Sequence, residues 1–399
     1  MKESPLIIAG GGIGGLAAGV ALRKLGQPVR IIEQAGEFRP IGYGIQLGPN
    51  AFRAFERLGL ATAVLERCSL PNEGLLKDAV SGATLLRLPM ASEMQARFGY
   101  PYAVIHRADL HEVLVDACRE TGVDLLTDCE LQSFEDEGQD VILSTSHGAM
   151  RTSGLIAADG IWSKTRAALT GSEPPQRLGY AVFRSVRPLS EVPQQLAKNA
   201  VILWAGPGCH MIHYPLRGGT LFNLVAAFDY KINGDAEAGM SLAERLLSRF
   251  STCHDDIRQM LPYLDLDQHW EIATVEPIAT WCKGRVTLLG DSAHAMVQAL
   301  AQGACQAIED ALSLAEHVSA SPHDLVNAFR AFNRSRLLRV TRVQYMSRLM
   351  WEIIHVRGAY AELRNERLKA HDNALEELSW LYDADRSSTD KSASSERAA

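Results

Sequence analysis

The run PLIIAGGGIGGLAAGVAL near the start of the chain constrains the fold more than any other feature. LIIA reads as a short buried strand, and Gly10-x-Gly12-x-x-Gly15 separates it from a small-residue helix, GLAAGVALRKLG, that ends at Gly26. A second strand, PVRIIEQ, carries Glu33, which stands 33 − 15 = 18 residues after the last glycine of the motif. Strand, helix and strand in this order make one βαβ unit. Gly10 allows the tight turn, Gly12 lets backbone approach a pyrophosphate at the helix N-terminus, and Gly15 permits close helix packing. The Glu33 carboxylate suits a ribose diol by accepting hydrogen bonds from its hydroxyls. The pattern predicts a Rossmann-like dinucleotide-binding α/β domain and leaves FAD and NAD undistinguished. The six glycines also argue against a signal peptide, and no uninterrupted apolar segment reaches the ~18 residues of a membrane span.

Beyond this unit, PNAFRAFERLGLATAVLERC has helical spacing, and HRADLHEVLVDACRETG is an amphipathic helix leading into VDLLTDC and QDVILSTSH, both strand-like. From Tyr180 to about Thr274 the texture changes. YAVFRSV, VILWAG, CHMIHYPL and LFNLVAAF alternate between Gly/Pro turns, which predicts a separate, mainly antiparallel sheet broken by one helix, SLAERLLSRF. The chain returns to a buried strand at RVTLLGD and to helices through about residue 382, while DADRSSTDKSASSERAA is too polar to pack and is expected to be disordered. Forty basic and 47 acidic residues give 40 − 47 = −7, and no basic block offers a nucleic-acid footprint, so small molecules are the expected partners. Seven cysteines without CxxC spacing read as reduced thiols of a cytosolic protein. No Cys/His cluster has metal-ligand spacing, and GxSxG is missing.

A second polar turn, GDSAHAMVQALAQGACQAIEDA, closes the apolar run VTLLG at the far end of the chain. Asp291 is expected in a βα turn, where a carboxylate can accept from a chain of hydroxyls. Gly303-Ala304 opens a helix whose free N–H groups can hold an anion or a polar ring edge. An NAD enzyme has no need of this second site. FAD, with its ribityl chain and isoalloxazine, does.

These residues, together with GYGIQLGPNAFRAFERLGL, HRADLHEVL and the Asp159-Gly160 turn in LIAADGIWSKTR, resemble the single-component FAD-dependent aromatic hydroxylases over residues 5 to about 370. The resemblance implies a p-hydroxybenzoate hydroxylase-like architecture: a Rossmann-like FAD-binding domain (1–75, 100–178 and 276–330), an antiparallel substrate domain (76–99 and 179–275), C-terminal helices (331–384) and a tail (385–399). It implies FAD held by Gly10, Gly12, Ile13, Gly15, Glu33, Gln34, Gln46, Arg107, Asp159, Asp291, Gly303 and Ala304. Asp291 would take the ribityl chain and Arg107 the pyrophosphate side, unless Arg107 merely pairs with Asp109 or Glu112. It also implies NADH or NADPH as co-substrate, bound without a second Rossmann motif, and oxygen transfer to an aromatic ring through a C4a-hydroperoxyflavin.

Two departures narrow the substrate. Gln298 stands where most of the family has Pro, which exchanges a fixed φ for an amide able to donate and accept. In CHMIHYPL, strand alternation puts His210, Ile212 and Tyr214 on one face and Met211 and His213 on the other. This His-x-x-x-Tyr with Gln298 resembles one branch of the family, the 3-hydroxybenzoate 6-hydroxylases, which make gentisate, and implies His210 as base, Tyr214 as orienting group and Gln298 as a substrate contact. Salicylate or 6-hydroxynicotinate hydroxylation would use the same flavin motifs, and a flavin amine oxidase or dehydrogenase would share only the first of them. A substrate carboxylate has Arg184 and Arg217 nearby in the chain. His294 is expected to be structural, and His106 and His111 ordinary helix residues. The apolar RLLRVTRVQYMSRLMWEIIHV fits packing on its own domain or on a dimer partner.

Overall fold

The computed structural model describes residues 4–38, 42–232, 237–370 and 374–383. Of the polar segment expected to be disordered, all but Asp383 lies outside them. Six short strands form the first sheet, in the order Cys282–Lys283, Val286–Leu288, Leu155–Ala157, Leu6–Ala9, Val29–Ile32 and Asp124–Leu126. All neighbours are parallel except the first pair. Parallel strands need cover on both faces. Leu6, Ile8 and Ile31 face a core shared with helices Ile13–Lys24, Arg107–Thr121 and Gly303–Ala320, while Ile7, Ala9 and Ile32 meet Val141 and Leu143 of a small antiparallel sheet. This two-sided burial explains why LIIA is apolar at every position.

The second sheet has seven strands, ordered Trp270–Thr274, Gln176–Pro188, Leu221–Asp229, Cys209–Leu216, Ala200–Gly206, Glu73–Asp78 and Thr84–Pro89. Its pairs are antiparallel except Ala200–Gly206 with Glu73–Asp78. One face packs Phe183, Trp204, Met211 and Phe222 against Leu246 and Phe250 of helix Leu242–Phe250, each large side chain contributing about 1.5–3 kcal/mol by leaving water. That helix starts where SLAERLLSRF suggests, because Ser241 and Glu244 form a reciprocal capping box.

The last long element, helix Leu325–His355, buries residues at 325, 328, 329, 332, 336, 340, 343, 347, 351 and 354, a spacing that keeps one stripe inward. The apolar character of this segment is therefore largely spent on the chain's own core, although Leu338 and Tyr345 stay exposed. Its C-terminal end reaches the second sheet, where Trp351 packs with Val182 and Val225. Among the described residues no helix is long and apolar enough to cross a membrane.

Candidate active site

After strand Leu6–Ala9, inside the first sheet, the chain turns at Gly10 with φ +112°, where a Cβ would run into the backbone carbonyl of Ala158. At Gly15 a Cβ would collide with the carbonyl oxygen of Gly10, so the helix can approach the turn this closely only without a side chain. Gly12 caps helix Ile13–Lys24 with no side-chain hydrogen bond and faces open space, leaving the first-turn N–H groups free for an anion. Glu33 accepts from Gly11 N–H at 2.7 Å and Ala35 N–H at 2.9 Å, which orients its carboxylate beside the turn. Ile13 is half-buried at the helix start and Gln34 exposed next to Glu33.

His111 corrects the reading that made it an ordinary helix residue. Its buried Nε2–H donates to Gly11 O at 2.9 Å, bracing the glycine turn from 100 residues away. His106 remains at a helix end, its Nδ1 accepting from Ala108 N–H.

The late turn lies at the other end of the site. Val286–Leu288 leads through Gly290, φ +64°, into the short helix Asp291–His294. Asp291 is open to a cavity yet sunk in protein, and burial raises its carboxyl above the usual range, against the pull of His294 and Arg107. Burial likewise lowers Arg107, with Asp291 the opposing influence. The surface pairs considered for Arg107 are taken by others: Asp109 binds Arg217 at 2.6 Å, and Glu112 binds Arg67 at 2.9 Å.

Four buried groups, Arg166, His294, Asp310 and Arg336, hold the turn. Arg166 donates to the carbonyls of Ala293 at 2.6 Å and Glu276 at 2.8 Å. His294 meets Asp310 at 2.5 Å, and Arg336 Nε donates to the same carboxylate at 2.7 Å. Burial works to raise Asp310, but His294 and Arg336 outweigh it and hold the carboxyl low. Asp159 accepts from Thr165 Oγ1 at 3.1 Å, while its buried Oδ1 has no partner and burial raises its carboxyl. Gly160 follows with φ +81°.

Between the sheets runs a cavity of about 420 Å³, partly open to solvent, which lies within the ~300–1,000 Å³ of a small-ligand pocket. Gly303, Ala304 and Asp291 line one part, and Gln46 joins them from strand Gly44–Leu47, its Oε1 accepting from Tyr102 OH at 2.5 Å. His210, Ile212, Tyr214, Arg184 and Gln298 line another, among Leu75, Leu203, Met350 and Ile354. The alternation expected of CHMIHYPL therefore holds: Met211 lies in the opposite core, and His213 accepts there from Trp204 Nε1–H at 3.1 Å. Burial pushes Tyr214 well up; burial, then His355 and Arg184, push His210 well down. His210 Nδ1 lies 2.8 Å from His355 Nε2.

Arg184 and Arg217 separate clearly. Arg217 is neutralised by Asp109. Arg184 forms no ion pair among the described residues; its Nη2 donates to Gln298 Oε1 at 2.8 Å, and its enclosed Nε has no partner. Burial lowers its pKa. Sequence reasoning left open which arginine serves the cavity, and it missed Arg166 and His355 altogether. Neither has a local signal, since each acts on groups more than 100 residues away.

The chain matches the family model described as "FAD binding domain" over residues 3–323. It is 39% identical over 384 residues to 3-hydroxybenzoate 6-hydroxylase of Polaromonas naphthalenivorans, covering 95% of this chain and 96% of that one. It is 37% identical over 387 residues to 3-hydroxybenzoate 6-hydroxylase 1 of Aquipseudomonas alcaligenes, covering 94% and 97%. Among solved structures, Klebsiella pneumoniae HpxO complexed with FAD and uric acid superposes with a TM-score of 0.83 at 24% identity, covering 95% of this chain and 97% of that one, and so shares the fold.

Proposed function

Since the chain belongs to the family of FAD-dependent aromatic hydroxylases, we propose that it uses NAD(P)H and O2 to hydroxylate a phenolic carboxylate, with 3-hydroxybenzoate as substrate and gentisate as product. One observation carries this reading: an imidazole, a phenol, an amide and an arginine with no acidic partner among the described residues line one cavity together with Asp291 and Gly303. The site fits FAD. A cradle at Gly10 and Gly15 that a Cβ would fill, an uncapped helix start at Gly12 and a carboxylate open to the cavity at Asp291 are what a pyrophosphate and a polyhydroxyl chain need.

In this reading Gly10, Gly12, Ile13, Gly15 and Arg107 hold the pyrophosphate, and Glu33 with Gln34 the adenosine end. Asp291 takes the ribityl hydroxyls. Gln46, Asp159, Gly303 and Ala304 border the ring system and the approach of the nicotinamide. Bound FAD supplies the redox chemistry: two electrons from NAD(P)H reduce O2, one oxygen atom enters a ring C–H bond and the other leaves as water.

The side chains do the rest. Arg184 binds the substrate carboxylate, its charge otherwise uncompensated. Tyr214 and Gln298 orient the ring; the Gln298 carbonyl is already engaged by Arg184, so its NH2 group faces substrate as a donor. His210, kept neutral by burial, accepts the hydrogen bond of the substrate hydroxyl and takes its proton as ring density is drawn toward the carbon para to it. Leu75, Leu203, Met350 and Ile354 keep water away.

The test is NADH and NADPH oxidation by the flavin-loaded protein with 3-hydroxybenzoate, salicylate, 6-hydroxynicotinate or 4-hydroxybenzoate, with products identified by mass and retention time. Gentisate from 3-hydroxybenzoate alone supports the reading. Hydroxylation of a different acid refutes the substrate, and no stimulation by any phenol refutes the reaction.

A further inference from the structure

We propose that His355 is a positioning residue, which accepts the Nδ1–H of His210 and so fixes His210 in the tautomer whose Nε2 lone pair is offered to the cavity. The proposal deepens the functional reading above and rests on it for the identity of the cavity ligand. The hydrogen-bond chain itself does not depend on which ligand the cavity takes.

His355 ends helix Leu325–His355, and its Nδ1 lies 2.6 Å from Trp351 O. A carbonyl oxygen can only accept, so this nitrogen carries a proton. In a neutral imidazole the other nitrogen is then a bare acceptor, and His355 Nε2 sits 2.8 Å from His210 Nδ1. His210 Nδ1 must therefore be the donor. One proton remains to each ring, which leaves His210 Nε2 with a lone pair. The reverse polarity would set the lone pairs of His355 Nδ1 and Trp351 O against each other at 2.6 Å.

The surroundings keep both rings neutral. Each is buried, and burial lowers His355 to about 4, opposed by its bond to the Trp351 carbonyl. The charged groups acting on the pair are cationic: Arg184 on His210, and Arg364 and Arg357 on His355. Arg364 and Arg357 are themselves paired, with Asp78 at 2.9 Å and Asp229 at 3.9 Å. Tyr180 and Trp351 pack as rings against His355, with centroids at 4.7 and 4.6 Å.

The pair is therefore set to accept before it is charged. When the substrate O–H bond breaks, its electron pair stays on oxygen as phenolate and the proton goes to His210 Nε2. The imidazolium that results keeps its Nδ1–H on His355, so no second transfer is needed. The same helix end supplies Met350 and Ile354 to the cavity wall. One element thus places both the apolar lining and the group that orients the base.

Two variants of the full-length, FAD-loaded protein test this. His355→Leu removes the acceptor; His355→Gln offers an amide oxygen in its place. In histidine-15N-labelled protein, long-range 1H–15N spectra should show His210 with Nδ1 protonated and Nε2 bare in the wild type and His355→Gln, and a mixed or reversed tautomer in His355→Leu. The ionisation of bound 3-hydroxybenzoate, read by ultraviolet difference titration, should shift to higher pH in His355→Leu. Its kcat should fall about 10- to 100-fold, less than the full general-base effect of ~10²–10⁴, with KM within threefold and recovery in His355→Gln. A proton on His210 Nε2 in the wild type overturns the proposal, whether or not either variant folds, and so does an unchanged tautomer in His355→Leu. If the wild type shows the stated tautomer but does not hydroxylate 3-hydroxybenzoate, the substrate reading fails and the His355–His210 arrangement stands.

Discussion

Replacing Arg184 with Met removes a cation while keeping an apolar stem of similar reach. Among the described residues Arg184 has one hydrogen bond, to Gln298 at 2.8 Å, an enclosed Nε without a partner, and no acidic neighbour paired with it. A carboxylate ~4 Å from such a cation gains about 4 kcal/mol at an effective dielectric near 20. Arg184 is only partly buried and lines a cavity that is partly open, so screening and the cost of desolvating the ligand reduce this to about 2–3 kcal/mol, or about 30- to 150-fold in Kd. The assay is spectral titration of the FAD-loaded protein with 3-hydroxybenzoate and, in parallel, with the neutral 3-hydroxybenzamide. Arg184→Met should weaken the acid by that factor and the amide less than threefold. Equal losses for both, or none for the acid, would show that Arg184 does not serve the carboxylate.

Three further outcomes are expected. Gly15→Ala puts a methyl group against the Gly10 carbonyl, and should cost about 1–3 kcal/mol and strip FAD during gel filtration; full flavin content at unchanged Tm would refute the close approach. Asp310→Asn leaves Arg336 and His294 without their shared buried carboxylate and should lose about 3–5 kcal/mol in urea unfolding, with wild-type stability as the contrary result. Acid should destabilise the protein through its buried imidazoles. His213 falls from 6.5 to about 3 in the folded chain through burial, then Lys77 and Lys198, so its contribution is present above the unfolded pKa and is lost as pH drops from 6.5 toward 3. Between pH 6.5 and 5 the loss amounts to about 1–2 kcal/mol for this group. His213→Gln, which can still accept from Trp204, should reduce the acid sensitivity by that amount, and an unchanged pH dependence would remove His213 from the account.

The sequence by itself determined whatever follows from a single turn, strand or helix. Gly10 and Gly15 announce their βαβ unit because a Cβ on Gly15 would collide with the Gly10 carbonyl, a limit that operates within six residues. His210 and Tyr214 could be placed together, and His213 apart, because a pleated strand alternates its faces whatever surrounds it. SLAERLLSRF could be read as a helix because its apolar spacing is a local property as well.

Only the tertiary structure decided which partners these groups meet. Arg184 and Arg217 are both arginines on or beside the same sheet, yet Asp109, 108 residues away, neutralises one and leaves the other to the cavity. His111 braces the glycine turn because two elements of one core converge, and Arg166 secures the late turn across 127 residues. His355 gives the sharpest case, since its bond spans 145 residues. Local rules limit which conformations a segment can adopt. The donors and acceptors a buried group finds depend on which distant segments the hydrophobic core brings against it, and that pairing sets where the proton of His210 sits.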